Sequence, residues 1–202
     1  SRPLRFLFEI VLPFRMATAD HKPHEADSRK GRLRSLGESL CNYLVVEDAP
    51  RPCDLIFVMA GKQERKYYGL SLLRDGLAPR LILSIGRFEA RLFAGQYPDL
   101  AGNIMELARR TPIRRKHYFL DIEGNSTRLT AVGLRGRGTF GELSSLAAYL
   151  KAATLGSISL VSTSIHLRRI QFCCQCIPFF RGKRVQYLAV PEEFSSFRRN
   201  SW

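Results

Sequence analysis

Short apolar runs alternate along most of the chain with segments of helical periodicity. The apolar runs of strand length are 54–61, 80–86, 157–162 and 184–190. Apolar residues recur every three or four positions in the segments 31–46, 62–76, 93–112, 141–153 and 164–177. That spacing is typical of amphipathic helices, although 93–112 begins with a loop. Continuous apolar strands that alternate with helices predict an α/β fold with a mainly parallel sheet covered on both faces.

Two further strand-like runs, 117–123 and 128–134, flank the turn-forming sequence GNST. Either the two runs form a hairpin, or the second replaces a loop, and the pattern leaves both interpretations open. The pattern predicts one α/β domain over 31–202, and it predicts an N-terminal extension or linker over 1–30.

The first 16 residues are apolar but are interrupted by Arg5, Glu9 and Pro13. A bilayer span needs about 20 apolar residues, so we expect no membrane-spanning helix here. Packing on the domain is the favoured interpretation, and contact with a membrane surface is the alternative. The chain opens at Ser1, which leaves an upstream anchor open.

The chain has 32 Lys and Arg against 18 Asp and Glu, a formal net charge of +14. Such an excess favours anionic partners, or else forms a solvated basic face. The basic runs at 108–117 and 179–184 lack an aromatic stacking platform or a recognised motif, which argues against a nucleic-acid partner. No G-x-G-x-x-G sequence follows the first strand, and this disfavours classical dinucleotide binding.

Five cysteines form no even-numbered disulfide framework and favour a reducing compartment, hence the cytoplasm. The sequence CCQC at 173–176 falls in a predicted helix, where three thiols diverge around the circumference. Without paired Cys or His nearby, we predict no metal site and interpret these cysteines as small core residues.

Chemistry-bearing residues cluster where the predicted strands end. Ligands of open parallel sheets bind at the carboxyl ends of the strands, and backbone amides at helix starts bind anions. The candidates for ligand binding are Gly61, Arg65, Ser84, Gly86, Gly138, Thr139, Ser162, Ser164 and Arg169. His166 is the candidate general acid or base, and Glu142 is the candidate to orient it. Helix capping and solvation are the structural alternatives for these residues.

Several of these segments together resemble the YdcF/SanA/ElyC-like family, known as domain of unknown function family 218. The resemblance covers about Tyr43 to Arg169 and rests on DLIFVMAG, LLRDGLAPRLILSIG and VSTSIHLRRI in that order. It implies a Rossmann-like three-layer α/β/α sandwich. It also implies a link to envelope processes and a nucleotide-type ligand such as S-adenosylmethionine, but no established reaction.

The family motifs match this chain at particular positions. Asp54 matches the acid at the first strand, Ser84 and Gly86 the second strand end, and His166 and Arg169 the last signature. The family's second glycine is Arg87 here. The family places Glu two residues after Thr, whereas Thr139 and Glu142 are three apart, and Thr127 is a rival for the threonine position.

These observations predict a domain that binds an anionic small molecule, such as a nucleotide, S-adenosylmethionine, or a phosphorylated sugar or lipid. A hydrolase or transferase acting on a phosphorylated substrate would use His166 for proton transfer. A non-enzymatic ligand-binding or regulatory module would use the same pocket without it. The sequence does not choose between these two interpretations, and it names no oligomeric state.

Overall fold

Six strands form a single sheet in this computed structural model, which describes residue 43 and residues 45–97, 104–112 and 117–196. The strands are β1 (Leu55–Val58), β2 (Arg80–Ile85), β3 (His117–Glu123), β4 (Ser126–Val132), β5 (Ser157–Ser162) and β6 (Arg184–Ala189). Their order across the sheet is β4-β3-β2-β1-β5-β6. The pairs β1/β2, β1/β5 and β5/β6 are parallel, whereas β3 is antiparallel to both of its neighbours. The hairpin interpretation of the GNST segment is therefore confirmed.

Helices cover both faces of this sheet. They are α1 (Gln63–Arg74), α2 (Ala90–Gln96), α3 (Ile104–Arg110), α4 (Gly138–Tyr149), α5 (Ser164–Cys176) and α6 (Glu192–Ser196), with a short 3₁₀ helix at Pro178–Phe180. Alternate strand residues point to opposite faces, so that Ile56 and Val58 pack with α1 while Leu55 and Phe57 pack with α4 and α5. The predicted α/β three-layer sandwich of Rossmann-like type is confirmed.

The strand order reverses between β1 and β5. From β1 the chain moves through α1 to β2 on one side, and from β5 it moves through α5 to β6 on the other side. Right-handed crossovers in opposite directions place their helices on opposite faces, as observed for α1 and α5. The carboxyl ends of β1 and β5 therefore flank a topological switch point, the usual ligand site of such sheets.

Helix α1 approaches the sheet through a face that its apolar spacing does not mark. A Cβ added at Gly69 would lie 2.3 Å from Cγ2 of Val58, so glycine is needed for the close packing of α1 on β1. The face toward the sheet also buries Lys66 and Leu72. Tyr67 and Leu70, which belong to the apolar stripe of this segment, turn away from the centre of that contact; Tyr67 is 38% exposed.

The predicted extension over 1–30 and nearly all of the predicted helix over 31–46 lie outside the described residues. The same holds for the predicted contact of the first residues with a membrane surface. None of the helices in the described ranges combines the length and the apolar character that crossing a membrane requires.

Candidate functional site

The carboxyl edge of the sheet gathers most of the predicted site residues. Parallel strands β1, β2 and β5 end there, and α1, α4 and α5 begin there or nearby. His117 joins this edge because β3 runs antiparallel to β2, which brings the first residue of β3 beside Ser84. The site has two halves, one between β1 and β5 (the β5 half) and one between β1 and β2 (the β2 half).

His166 lies at the centre of the β5 half, between two hydroxyl groups. Its Nδ1 is 2.9 Å from Oγ of Ser162, and its Nε2 is 3.0 Å from Oγ1 of Thr139. Burial, together with the positive charges of Arg65 and Arg169, lowers the pKa of His166 to about 4. The imidazole is therefore neutral at pH 7, with one nitrogen donating to a hydroxyl and the other accepting from one.

Arg65 closes the β5 half from the side of α1. The side chain is only 9% exposed, and its Nη1 donates to the carbonyl oxygen of Ala60 at 2.6 Å. Its Nη2 donates to Oγ1 of Thr163 at 3.4 Å, while Nε is buried without a partner. Gly61 makes room for this guanidinium: its φ is 125°, and a Cβ there would lie 3.0 Å from Nη1.

Two helices begin in the β5 half without any neutralising group of their own. The N-cap residues of α4 and α5, Arg137 and Thr163, make no capping side-chain hydrogen bond, and neither helix has an acidic residue in its first turn. The first residues, Gly138 and Ser164, therefore carry backbone amides that face the site without an intrahelical acceptor. Such helix starts attract anions through their free N–H groups and the helix dipole.

Arg169 lies three residues beyond His166 on α5 and is exposed. Its guanidinium makes no hydrogen bond or ion pair with any residue of the described ranges. Its charge nevertheless acts on His166, whose pKa it helps to lower. Arg169 therefore adds a cation at the rim of the β5 half.

The β2 half is filled by the chain's own charges. The carboxylate of Glu89 accepts hydrogen bonds from the amides of Gly61 at 2.7 Å and Gly86 at 3.3 Å, and it forms an ion pair with Lys66. Lys66 is fully buried, and burial lowers its pKa although Glu89 opposes this effect. A Cβ at Gly86 would lie 2.8 Å from Oε1 of Glu89, which explains the glycine at the end of β2.

Glu142 belongs to the β2 half as well and does not orient His166 as predicted. Its Oε1 accepts the amide of Ala60 at 2.7 Å, and both nitrogens of His166 already have hydroxyl partners. Burial raises the pKa of Glu142, against the opposing effect of hydrogen bonds from Ser84 and the amide of Ala60. Four residues into α4, its side chain extends back to the end of β1 and closes that strand end.

Ser84 and His117 complete the β2 half. Oγ of Ser84 lies 2.7 Å from Nε2 of His117, and both residues are buried. Burial, with a smaller effect from the charge of Lys66, lowers the pKa of His117 to about 4. Ser84 is completely inaccessible to solvent, so its role in this structure is to hold the strand end together.

The structure places Asp54 at the opposite edge of the sheet. The residue precedes β1, and its Oδ2 accepts the amides of Gly156 and Ser157, each at 2.8 Å. These hydrogen bonds lower the pKa of the carboxyl. Asp54 therefore joins the start of β1 to the start of β5, and the structure does not bring it to the predicted ligand site.

Two other comparisons within the chain are resolved by position. Thr127 lies in β4 at the amino edge of β1 and β2, because Arg80 at the start of β2 pairs with Glu123. Thr139, by contrast, contacts His166. Arg168 is not solvated: it donates to the carbonyl oxygen of Tyr43 at 2.8 Å and to Gln171 at 2.8 Å.

The sequence analysis missed Lys66, Glu89 and His117 as members of this edge. A lysine beside an arginine in a helix is typical of a solvated face, and only the tight packing at Gly69 shows that Lys66 is buried. Glu89 carried one signal, since it stands three residues after the glycine that ends β2. His117 gave none, because its position depends on the antiparallel direction of β3.

The described residues contain no group of three or more His, Cys, Asp or Glu arranged to hold a metal ion. Cys174 is buried, Cys173 is half-buried and Cys176 is exposed, and all three thiols are free. The groups suited to a ligand are instead hydroxyls, helix amides and guanidinium groups.

Fold and site define a doubly wound α/β domain with a cationic half-site at its switch point. Comparison of the chain with models of protein families, with curated proteins and with solved structures found no match. The resemblance to the YdcF-like family stays a prediction that rests on its motifs.

Proposed function

We propose that this chain is a YdcF-like domain that binds an anionic small molecule in the β5 half of the carboxyl edge. The candidates remain a nucleotide, S-adenosylmethionine, or a phosphorylated sugar or lipid. One observation carries the proposal: α4 and α5 both begin there without a capping side chain or a first-turn acid, beside Arg65 and Arg169. A phosphate or carboxylate group would satisfy the free amides and the cations together.

The contrast with the β2 half supports this location. There, Glu89 and Glu142 already occupy the amides of Gly61 and Ala60, so that half needs no external anion. In the β5 half, the neutral groups around His166 contribute no negative charge. An anion would therefore meet attraction at β5 and repulsion at β2.

The chemistry of His166 is compatible with catalysis on a phosphorylated substrate. A neutral imidazole can accept a proton from an attacking water or hydroxyl and return it to the leaving oxygen. The pKa of about 4 makes it a weak base in the empty site, and a bound anion would raise that pKa. A hydrolase or transferase is thus one form of the proposal.

A non-enzymatic binding module is the second candidate, and a specific observation favours it. Both ring nitrogens of His166 have hydroxyl partners, which hold the imidazole in place as a hydrogen-bonding wall. To act in proton transfer, the imidazole must exchange the Thr139 or Ser162 hydroxyl for a substrate atom. Measured turnover separates the two candidates: replacing His166 with Asn abolishes turnover in an enzyme but only weakens binding in a module.

A thermal-shift screen tests the binding proposal directly. The probes are inorganic phosphate, pyrophosphate, nucleotides, S-adenosylmethionine, sugar phosphates and polyprenyl phosphates, each on the wild-type chain and on two single variants. Arg169→Ala removes a cation at the site, and Arg168→Ala is the matched control on the same helix. We expect an anion to stabilise wild type and Arg168→Ala, with about tenfold weaker binding to Arg169→Ala.

Each Tm shift is referred to the same variant without ligand, because loss of the Arg168 contacts with Tyr43 can alter stability by itself. If no probe stabilises the wild type, or if Arg169→Ala responds as strongly as Arg168→Ala, the proposed site is wrong.

A further inference from the structure

A groove of about 1230 Å³ runs from the carboxyl edge along the outer side of α1. Gly61 and Gln63 line the end near the sheet, Tyr67 and Leu70 line the helix side, and Phe88 and Phe194 line other parts of its wall. None of the groups placed in the β5 half fills this space. Its size is in the range of small-molecule and cofactor sites.

The wall of the groove is apolar and aromatic, although it opens to solvent. Phe88 is 84% exposed, and Leu92 beside it is 45% exposed. Tyr67 and Leu70 are the part of the α1 apolar stripe that turns away from the sheet contact, so the sequence has kept apolar residues on a side that the core does not use. Aromatic side chains on a concave surface provide flat faces against which a planar ring can stack.

Gln63 adds a polar requirement at the inner end of the groove. Both the oxygen and the nitrogen of its amide are buried, and neither has a hydrogen-bond partner. Buried amide groups in folded proteins are rarely left unpaired. Because Gln63 lines the groove, a molecule in the groove is the partner that could supply one donor and one acceptor together.

The groove and the β5 half meet at Gly61. This residue lines the groove, and the position of its missing Cβ lies 3.0 Å from Nη1 of Arg65. A ligand could therefore pass over the backbone of Gly61, with an anionic group on the Arg65 side and a ring on the Gln63 side. No side chain of residue 61 stands between the two.

We infer that the groove binds the base of a nucleotide whose phosphate groups occupy the β5 half, an inference that rests on the proposed function. A nucleobase combines a flat face for the aromatic wall with an edge that carries both a donor and an acceptor for Gln63. The apolar chain of a lipid phosphate would cover the wall but leave the Gln63 amide unpaired. A sugar phosphate would pair with Gln63 but leave the aromatic faces exposed.

Calorimetric titration of the full chain separates the contribution of the groove from that of the anion site. The probes are pyrophosphate for the anion alone, the diphosphates of adenosine, guanosine, cytidine and uridine for anion plus base, and dodecyl phosphate for anion plus apolar chain. We expect the tightest nucleoside diphosphate to bind at least about tenfold more tightly than pyrophosphate, from stacking of the base.

Two variants locate that gain in the groove. Gln63→Leu removes the amide, and Phe88→Ala removes an exposed ring that does not support the core. Both should lower the affinity for the nucleoside diphosphate by about fivefold or more and leave that for pyrophosphate unchanged. Gln175→Leu, the same change on the exposed side of α5, is the matched control and should alter neither affinity.

The outcomes distinguish this inference from the proposed function. Equal affinity of the wild type for pyrophosphate and all four nucleoside diphosphates overturns the inference and leaves the anion site standing. A gain for dodecyl phosphate alone, or a nucleotide gain that both groove variants retain, overturns it as well. If neither pyrophosphate nor any nucleotide binds, the proposed function itself fails.

Discussion

The two halves of the carboxyl edge satisfy the same backbone problem in opposite ways. At the β2 half, the chain supplies its own anions: Glu89 and Glu142 accept the amides at the end of β1, and Lys66 pairs with Glu89. At the β5 half, it supplies hydroxyls, an uncharged imidazole and guanidinium groups, while two helix starts remain without acidic partners.

This difference separates structural charge from charge that is available to a ligand. A strand end whose amides are bound by internal carboxylates is complete and contributes to folding. A strand end flanked by uncapped helices and a guanidinium with an unpaired Nε is electrostatically incomplete. Changes in the β2 half should therefore affect stability, and changes in the β5 half should affect binding.

Breaking the Lys66–Glu89 pair should have the largest effect. Glu89→Gln keeps a carbonyl-type acceptor for Gly61 and Gly86 but leaves the fully buried ammonium of Lys66 without its counter-charge. We expect the free energy of unfolding to fall by about 3 kcal/mol, because removing one partner of a buried pair costs more than the pair itself contributes. Urea denaturation at pH 7 measures it.

The exposed pair at the start of α1 provides the control. Nζ of Lys62 is 3.9 Å from Glu64, and the Lys62 side chain is largely exposed. Glu64→Gln should therefore cost less than about 1 kcal/mol. If Glu64→Gln and Glu89→Gln destabilise the chain equally, the β2 half does not have the structural role assigned to it.

Acid should destabilise the chain next most strongly, through His117. Its pKa is about 4 in the folded chain and 6.5 ordinarily, so between these values the unfolded chain binds more protons. The stabilisation is fully present above about pH 6.5 and is lost as the pH falls toward 4, by up to roughly 3 kcal/mol. In His117→Gln, the free energy of unfolding should vary less with pH over this range.

His166 is less buried than His117, so His166→Asn should change that pH dependence less. Unfolding curves at several pH values between 4 and 7 compare the two variants. A pH dependence that His117→Gln leaves unaltered would show that another group controls acid unfolding.

The sequence predicts the layers of this fold better than it predicts the edge. Strand and helix patterns are local: each apolar run carries its own period, and the strands followed the predicted segments closely, as β2 and β5 show. His166 and Thr139 could also be placed, because one follows a parallel strand and the other starts a helix.

Contacts between distant segments account for what the sequence could not predict. Whether Glu142 turns toward His166 or toward Ala60 depends on how α4 sits against β1, which no periodicity encodes. Asp54 stands beside a strand, but only the strand direction tells which edge it occupies. Likewise, Lys66 is buried because Gly69 lets α1 approach β1, and a helical wheel of α1 assigns Lys66 to the polar side.

A smaller effect on stability is expected from Asp54, at the amino edge. Asp54→Ala removes the acceptor of the Gly156 and Ser157 amides and of the Ser157 hydroxyl, and should cost about 1–2 kcal/mol. The stabilisation by the carboxylate is present above its ordinary pKa of 3.8 and is lost as the pH falls below it. Chemical denaturation at pH 7 measures the loss.

Anion affinity should be unchanged in Asp54→Ala, because the residue lies at the other edge of the sheet. Titration of this variant with pyrophosphate checks the point. Weaker binding that persists under conditions where the variant is fully folded would mean that the two edges are coupled, contrary to the separation drawn above.

The smallest expected effect links protons to anion binding in the β5 half. His166 is neutral in the empty site because its pKa is about 4, and an anion beside it would raise that pKa. Binding should therefore take up protons, so that the affinity increases as the pH falls from 7 to 5, by about twofold to tenfold. Sulfate is the suitable probe, since it keeps its two charges across this range.

The dependence should disappear in His166→Asn and persist in His117→Gln, although both histidines have the same low pKa. The reason is position: His166 is held between α4 and β5, where the anion is proposed to bind, whereas His117 is bonded to Ser84 in the filled half. Calorimetric titration with sulfate at pH 5, 6 and 7 compares the two variants. A pH dependence that follows His117 would move the anion to the β2 half and reverse the assignment of the two halves.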